Sequence, residues 1–123
     1  MGYELEIPEE LREDVVKLQQ LQQQHQALLL QKQSLELELS EIEAAMKEVE
    51  KSIDSEIYEI VSNVMIKKDR DSVLSSLKER KEIINLRVSS LDKQITSIAS
   101  KLNELQSRIA EKMKKPKSGE EGE

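Results

Sequence analysis

The sequence predicts a mainly α fold: a long antiparallel two-helix coiled coil whose helices are joined by a central β-hairpin. Three observations carry this prediction. The first is composition: the 123 residues are 36% charged and 2% aromatic, with no Phe, Trp or Cys. A balance rich in Glu, Lys, Leu, Gln and Ser suits long helices, because a globular core without large aromatics would have to be filled by Leu, Ile and Val alone. The second is a heptad ladder. Steps of three and four from Leu11 reach Leu18, Leu21, Leu28, Leu35, Leu39, Ile42, Met46, Val49 and Ile53, with Asp14, His25 and Lys32 the polar exceptions. The same steps from Leu74 reach Leu77, Ile84, Val88, Leu91, Ile95, Ile98, Leu102, Leu105 and Ile109, with Lys81 and Lys112 polar. Twenty of the twenty-five slots are apolar, against about nine expected by chance from a 37% hydrophobic chain. A repeat held this long is the mark of a supercoiled seam. The third observation is the stretch between the ladders, IYEIVSNVMIKKD, where the three-four pattern stops and β-branched residues take over.

Helix 1 is expected over about residues 8–54. Pro8 suits the first helical position, and Glu9 and Glu10 favour the positive end of the helix dipole. Helix 2 is expected over about residues 70–114, opened by Asp69 or Asp71 as a cap and closed by Lys112, Lys114 and Lys115, with Pro116 as a stop. The last residues, 116–123, read as a polar, disordered tail. Between the helices, Ile57, Tyr58, Ile60 and Val61 precede Ser62-Asn63, and Val64, Met65 and Ile66 follow it. This reads as a hairpin over about 56–68 with a two-residue turn; the alternative is a continuous helical stretch with a loop.

The hairpin reverses the chain, so two helices of equal length pair antiparallel with partner numbers adding up to about 126. That sets Leu18 near Ile109, Leu21 near Leu105, Leu35 near Leu91 and Asp14 near Lys112. Both hairpin faces carry apolar side chains. An isolated two-stranded hairpin is marginal in water, so its edges call for cover or extension by other subunits.

Several functions are excluded. Without cysteine there are no disulfides or thiolate metal sites, and one histidine offers no metal-ligand set. Gly-rich phosphate loops and nucleophile motifs are absent, so neither an enzyme nor a cofactor is expected. A net charge of −6 argues against nucleic acid as the main partner. No apolar run approaches the ~18 residues of a membrane span, and the acidic start does not resemble a secretory signal. The expectation is a cytoplasmic protein.

The residues LQQLQQQHQALLLQKQSLELELSEIEAAMKEVE, the hairpin pattern YxxVxNVxIKKD and the helix opening LxxRKExxxLRxxxLDKQ resemble the β-class subunit of prefoldin. The likeness covers nearly the whole chain, as a single prefoldin β-type domain. One departure is Ser62, where that family commonly carries glycine. The resemblance implies a hexamer of two α-class and four β-class subunits, whose hairpins assemble into an inter-subunit β-barrel. It further implies an ATP-independent holdase whose distal coiled-coil tips bind unfolded proteins and deliver them to a group II chaperonin.

On that reading Ile57, Tyr58, Ile60, Val61, Val64, Met65 and Ile66 are candidates for subunit assembly. Ile7, Leu11, Val15, Val16, Leu18, Leu105, Ile109 and Met113 are candidates for client binding at a frayed tip, against the plain alternative of an ordinary seam. QQLQQQHQ reads either as a client surface or as a solvated helix face, and Lys32 and Lys81 either fix register or reach for solvent. KKDR, residues 67–70, either meets acidic groups of a partner or is solvated. A rival function is a structural coiled-coil adaptor that binds one discrete folded partner.

Overall fold

The computed structural model describes residues 8–114. The element order is α1 (Glu9–Lys51), β1 (Ile57–Val61), β2 (Val64–Lys68) and α2 (Arg70–Lys114). The fold is therefore the mainly helical one expected, two long helices around a central antiparallel hairpin. The expected tail and Ile7 lie outside the described residues.

Both ends of α1 and the start of α2 have local causes. The Arg12 N–H donates to the Pro8 C=O at 2.9 Å, so Pro8 occupies the capping position rather than the first helical one. Helix α1 stops at Lys51, not near residue 54 as the ladder suggested. Ser52 ends it by turning back on the last turn. Its N–H donates to the Val49 C=O at 3.1 Å and its hydroxyl to the Glu48 C=O at 2.8 Å. A serine offers the backbone such local alternatives to a continuing helix. Ile53 thereby leaves the seam and stands 72% exposed. Helix α2 opens on Asp69, whose carboxylate accepts the Ser72 N–H at 3.0 Å while its C=O accepts the Val73 N–H at 3.0 Å.

The described residues divide into two compact units, one of residues 8–29 with 93–114 and one of Leu30–Asp92. In the first, the start of α1 lies beside the end of α2. The ladder positions Leu11, Asp14, Leu18, Leu21, His25 and Leu28 are half-buried, as are Ile95, Ile98, Leu102, Ile109 and Lys112, while Leu105 is buried. Lys112 reaches Asp14 at 2.8 Å, the polar pair that equal layers required.

In the second unit Ile42, Ile84 and Leu91 are buried and the other helical ladder positions half-buried. Charged groups on the two helices lock the antiparallel register: Lys32 meets Asp92 at 2.7 Å, Arg80 meets Glu38 at 2.9 Å and Lys81 meets Glu43 at 3.3 Å. Lys32 and Lys81 therefore each end on a carboxylate of the facing helix, which favours the register reading over simple solvation. The hydrogen bond to Asp92 raises the Lys32 pKa above its ordinary value.

Candidate functional site

The hairpin belongs to the second unit. Its strands pair Ile57 with Lys68, Tyr58 with Lys67, Glu59 with Ile66, Ile60 with Met65 and Val61 with Val64. The turn is thus the two residues Ser62-Asn63. Ser62 has φ of 57° and is the one non-glycine residue with positive φ among those described. A positive φ at the first turn residue alone is the sign pattern of a type II′ turn, whose twist matches that of the flanking strands. The tight hairpin closes without the glycine common in the resembling family, with a serine in the position that glycine would occupy.

Alternation along the strands divides the side chains. Tyr58, Ile60, Met65 and Lys67 share one face; Ile57, Glu59, Val61, Val64, Ile66 and Lys68 share the other. Ile57 is half-buried and, with Glu59 and Lys68, lines a groove against Ala45, Val49 and Val73 of the helices. The remaining assembly candidates, Tyr58, Ile60, Val61, Val64, Met65 and Ile66, are all exposed. Six exposed apolar residues on ten strand residues form a surface that water does not favour.

Charge gathers where the strands meet the helices. Lys67 pairs with Glu56 at 3.2 Å and Lys68 with Glu59 at 3.4 Å. The Tyr58 hydroxyl also donates to Glu56. That hydrogen bond, then the one from Lys67, holds the Glu56 carboxyl below its usual range. Arg70 does something the sequence reading missed. Its Nε donates to the Val49 C=O and its Nη2 to the Glu50 C=O, both at 3.1 Å, while Nη1 stays near Asp71 at 3.6 Å. The guanidinium fork so caps the end of α1 through the Glu50 C=O and the Val49 C=O, the latter shared with the Ser52 N–H, where positive charge is also favoured by the helix dipole. Of the KKDR run, the lysines and the arginine have partners within the chain and Asp69 is a helix cap. Glu56, just before the strand opposite the lysines, and Glu59 within it, each diagonal to the lysine it meets, were the available signal; nothing local signalled the Arg70 bonds.

The second group of candidates lies in the first unit. Val16 is 52% and Met113 69% exposed, whereas Leu11, Val15, Leu18 and Ile109 are half-buried. Leu105 is only 2% exposed, sealed in the seam. Contact between Leu105 and any other chain therefore requires the helices to part. Lys112 closes this region by donating to Glu10 at 2.9 Å and to Asp14 at 2.8 Å. The bond from Lys112 lowers the Asp14 pKa, and the same bond, then the one to Glu10, raises that of Lys112. Among the described residues no cluster of acidic or histidine side chains is arranged to hold a metal ion, and no helix is long and apolar enough to cross a membrane.

The chain is similar to known proteins. A family model described as "Prefoldin subunit" matches residues 12–116. The prefoldin subunit beta of Methanothrix thermoacetophila is 38% identical over 109 residues, covering 88% of this chain and 91% of the relative. That of Pyrobaculum arsenaticum is 39% identical over 116 residues, covering 94% of each chain. The crystal structure of the prefoldin beta subunit from Thermococcus strain KS-1 superimposes with a TM-score of 0.81 at 31% identity, over 92% of this chain and all of that one.

Proposed function

Because the chain belongs to the prefoldin subunit family, we propose that it is the β-class subunit of a hexamer with two α-class and four β-class members, acting as an ATP-independent holdase in the cytoplasm. The family is one of chaperones, and the chain is not an enzyme. In this reading Ile57, Tyr58, Ile60, Val61, Val64, Met65 and Ile66 join the hairpin to those of other subunits in a β-barrel. The unit that contains the start of α1 and the end of α2 holds unfolded proteins through Leu11, Val15, Val16, Leu18, Leu105, Ile109 and Met113, with Ile7 beside them in sequence, and passes them to a group II chaperonin. The whole chain serves as one domain of the family.

The observation that carries the reading is the hairpin: two free edges and exposed apolar side chains on both faces, at the end of helices that bury only a thin seam. Such a surface is stable only when covered. Exposed apolar residues elsewhere would give weak contacts that add across subunits by avidity. Two deletions separate the roles. Removing residues 57–68 should abolish the hexamer, measured by light scattering with an α-class subunit added. Removing residues 1–12 and 109–123 should spare assembly but weaken suppression of client aggregation. Undiminished suppression by the second variant would sink the holdase mechanism.

A further inference from the structure

The residues proposed to hold unfolded chains are not equally available. Val16 and Met113 are exposed, Leu11, Leu18 and Ile109 are half-buried, and Leu105 is sealed. What joins the helices around them differs from the rest of the seam in this unit. Asp14 and Lys112 both occupy ladder positions, where every other slot of the unit except His25 is apolar. Their side chains are only 15% and 27% exposed. Among the described residues, the ion pairs that join α1 to α2 within this unit are both made by Lys112, one to Glu10 and one to Asp14. One ammonium group thus holds two carboxylates of the facing helix.

The place of this cluster matters as much as its chemistry. Helices separate most readily from their ends, where the terminal groups lack partners. Lys112 stands just before the end of α2 at Lys114, and Asp14 lies near the start of α1 at Glu9. Ile109 and Leu105 lie deeper, about 4.5 and 10.5 Å further along α2 at ~1.5 Å per residue. A separation that begins at the ends must therefore break the Lys112 bonds before it uncovers either residue. Apolar side chains in the same two slots would close the seam more firmly, because a partly exposed ion pair contributes little and a buried one costs desolvation. Loss of the ammonium group alone does the opposite: it leaves Glu10 and Asp14 together with no cation, Asp14 in a half-buried slot.

We infer that Lys112, with Glu10 and Asp14, is a latch on the seam: closed, it withholds Ile109 and Leu105, and open, it offers them to an unfolded chain. The inference rests on the proposed function and adds its regulation. Lys112 and Asp14 touch each other rather than the client, so they act by setting how often the helices part. A polar pair in an otherwise apolar seam makes that opening easy enough to happen and costly enough to limit it.

Two variants, each studied in complex with an α-class subunit, test the latch from opposite sides. Lys112→Ala unlatches the seam, so amide exchange across residues 102–109 should quicken about two- to fivefold. Aggregation of citrate synthase diluted from denaturant, followed by light scattering, should then be suppressed at a correspondingly lower chaperone concentration. The double variant Asp14→Leu/Lys112→Leu fills both slots with apolar side chains. Its exchange should slow by about fivefold or more, and its suppression should weaken, although the chain has gained two leucines. If clients were held by exposed apolar surface alone, those leucines would strengthen suppression or leave it unchanged, and either result overturns the latch. So does Lys112→Ala with wild-type exchange or wild-type suppression. A wild-type complex that suppresses aggregation without responding to either variant sinks only the latch; one that suppresses nothing overturns the proposed function as well.

Discussion

At the scale of single residues, two positions concentrate unusual chemistry. Ser62 holds a positive φ that a side chain disfavours, because the Cβ crowds the backbone there. Replacing it with glycine removes that crowding, so Ser62→Gly should raise the stability of the assembled protein by about 1 kcal/mol, read as a higher midpoint in thermal unfolding. An unchanged or lower midpoint would show that the turn is not strained at this residue. Asp14 and Lys112 make the other site. The folded Asp14 carboxyl titrates below its ordinary value, so its contribution is present above the usual carboxylate range and lost as pH falls through the lowered value. Lys112 titrates above its ordinary value, so its contribution is present below the usual lysine range and lost as pH rises through the raised value. Glu10 faces Lys112 as well, and Arg108 and Lys17 lie near enough to Asp14 to favour its charge. Amide protection at the start of α1 and the end of α2 should therefore be flat around neutrality and fall at both extremes. Asp14→Asn should flatten the acid side; an acid limb identical to wild type would exclude Asp14 as its source.

At the scale of the helix, the seam is narrow and its layers are unequal. Ile84 is fully buried, whereas Leu86, two residues on, is 73% exposed. Ile84→Ala should cost about 2–4 kcal/mol, from lost burial and the cavity left behind, while Leu86→Ala should change stability by less than about 0.5 kcal/mol. Equal losses from the two variants in chemical denaturation would mean that the outer face of α2 is covered in solution. This contrast was legible in the sequence, because Ile84 falls on the ladder and Leu86 does not. So were the register of Asp14 with Lys112, both strands and the start of α2. The end of α1 was not: Ile53 fits the heptad period, but Ser52 diverts the backbone before it. Periodicity reports which face is apolar and carries little information about where hydrogen bonding stops. The Arg70 cap was equally hidden, since it depends on Val49 and Glu50 meeting the far side of a hairpin. Leu105 shows a different limit: the ladder places it in the seam but says nothing of how often the seam opens.

At the scale of the whole molecule, surfaces of different character fall in different units: exposed apolar strands in one, and in the other a half-buried seam beside the Lys112 ion cluster. The Arg70 bonds have a consequence for how these are made. They join residues 20 and 21 positions apart, whereas those of Lys112 join residues 98 and 102 apart. Closing a loop about five times longer costs about 1.4 kcal/mol more in chain entropy, so the contacts around the hairpin should form first. Arg70→Ala and Ile84→Ala should give φ-values above about 0.5, and Leu18→Ala and Leu105→Ala values below about 0.3; the reverse order would refute this sequence of events. On this route the helix ends join the native structure last, and they are also the first to leave it. The residues proposed to hold unfolded proteins would then spend the most time resembling one.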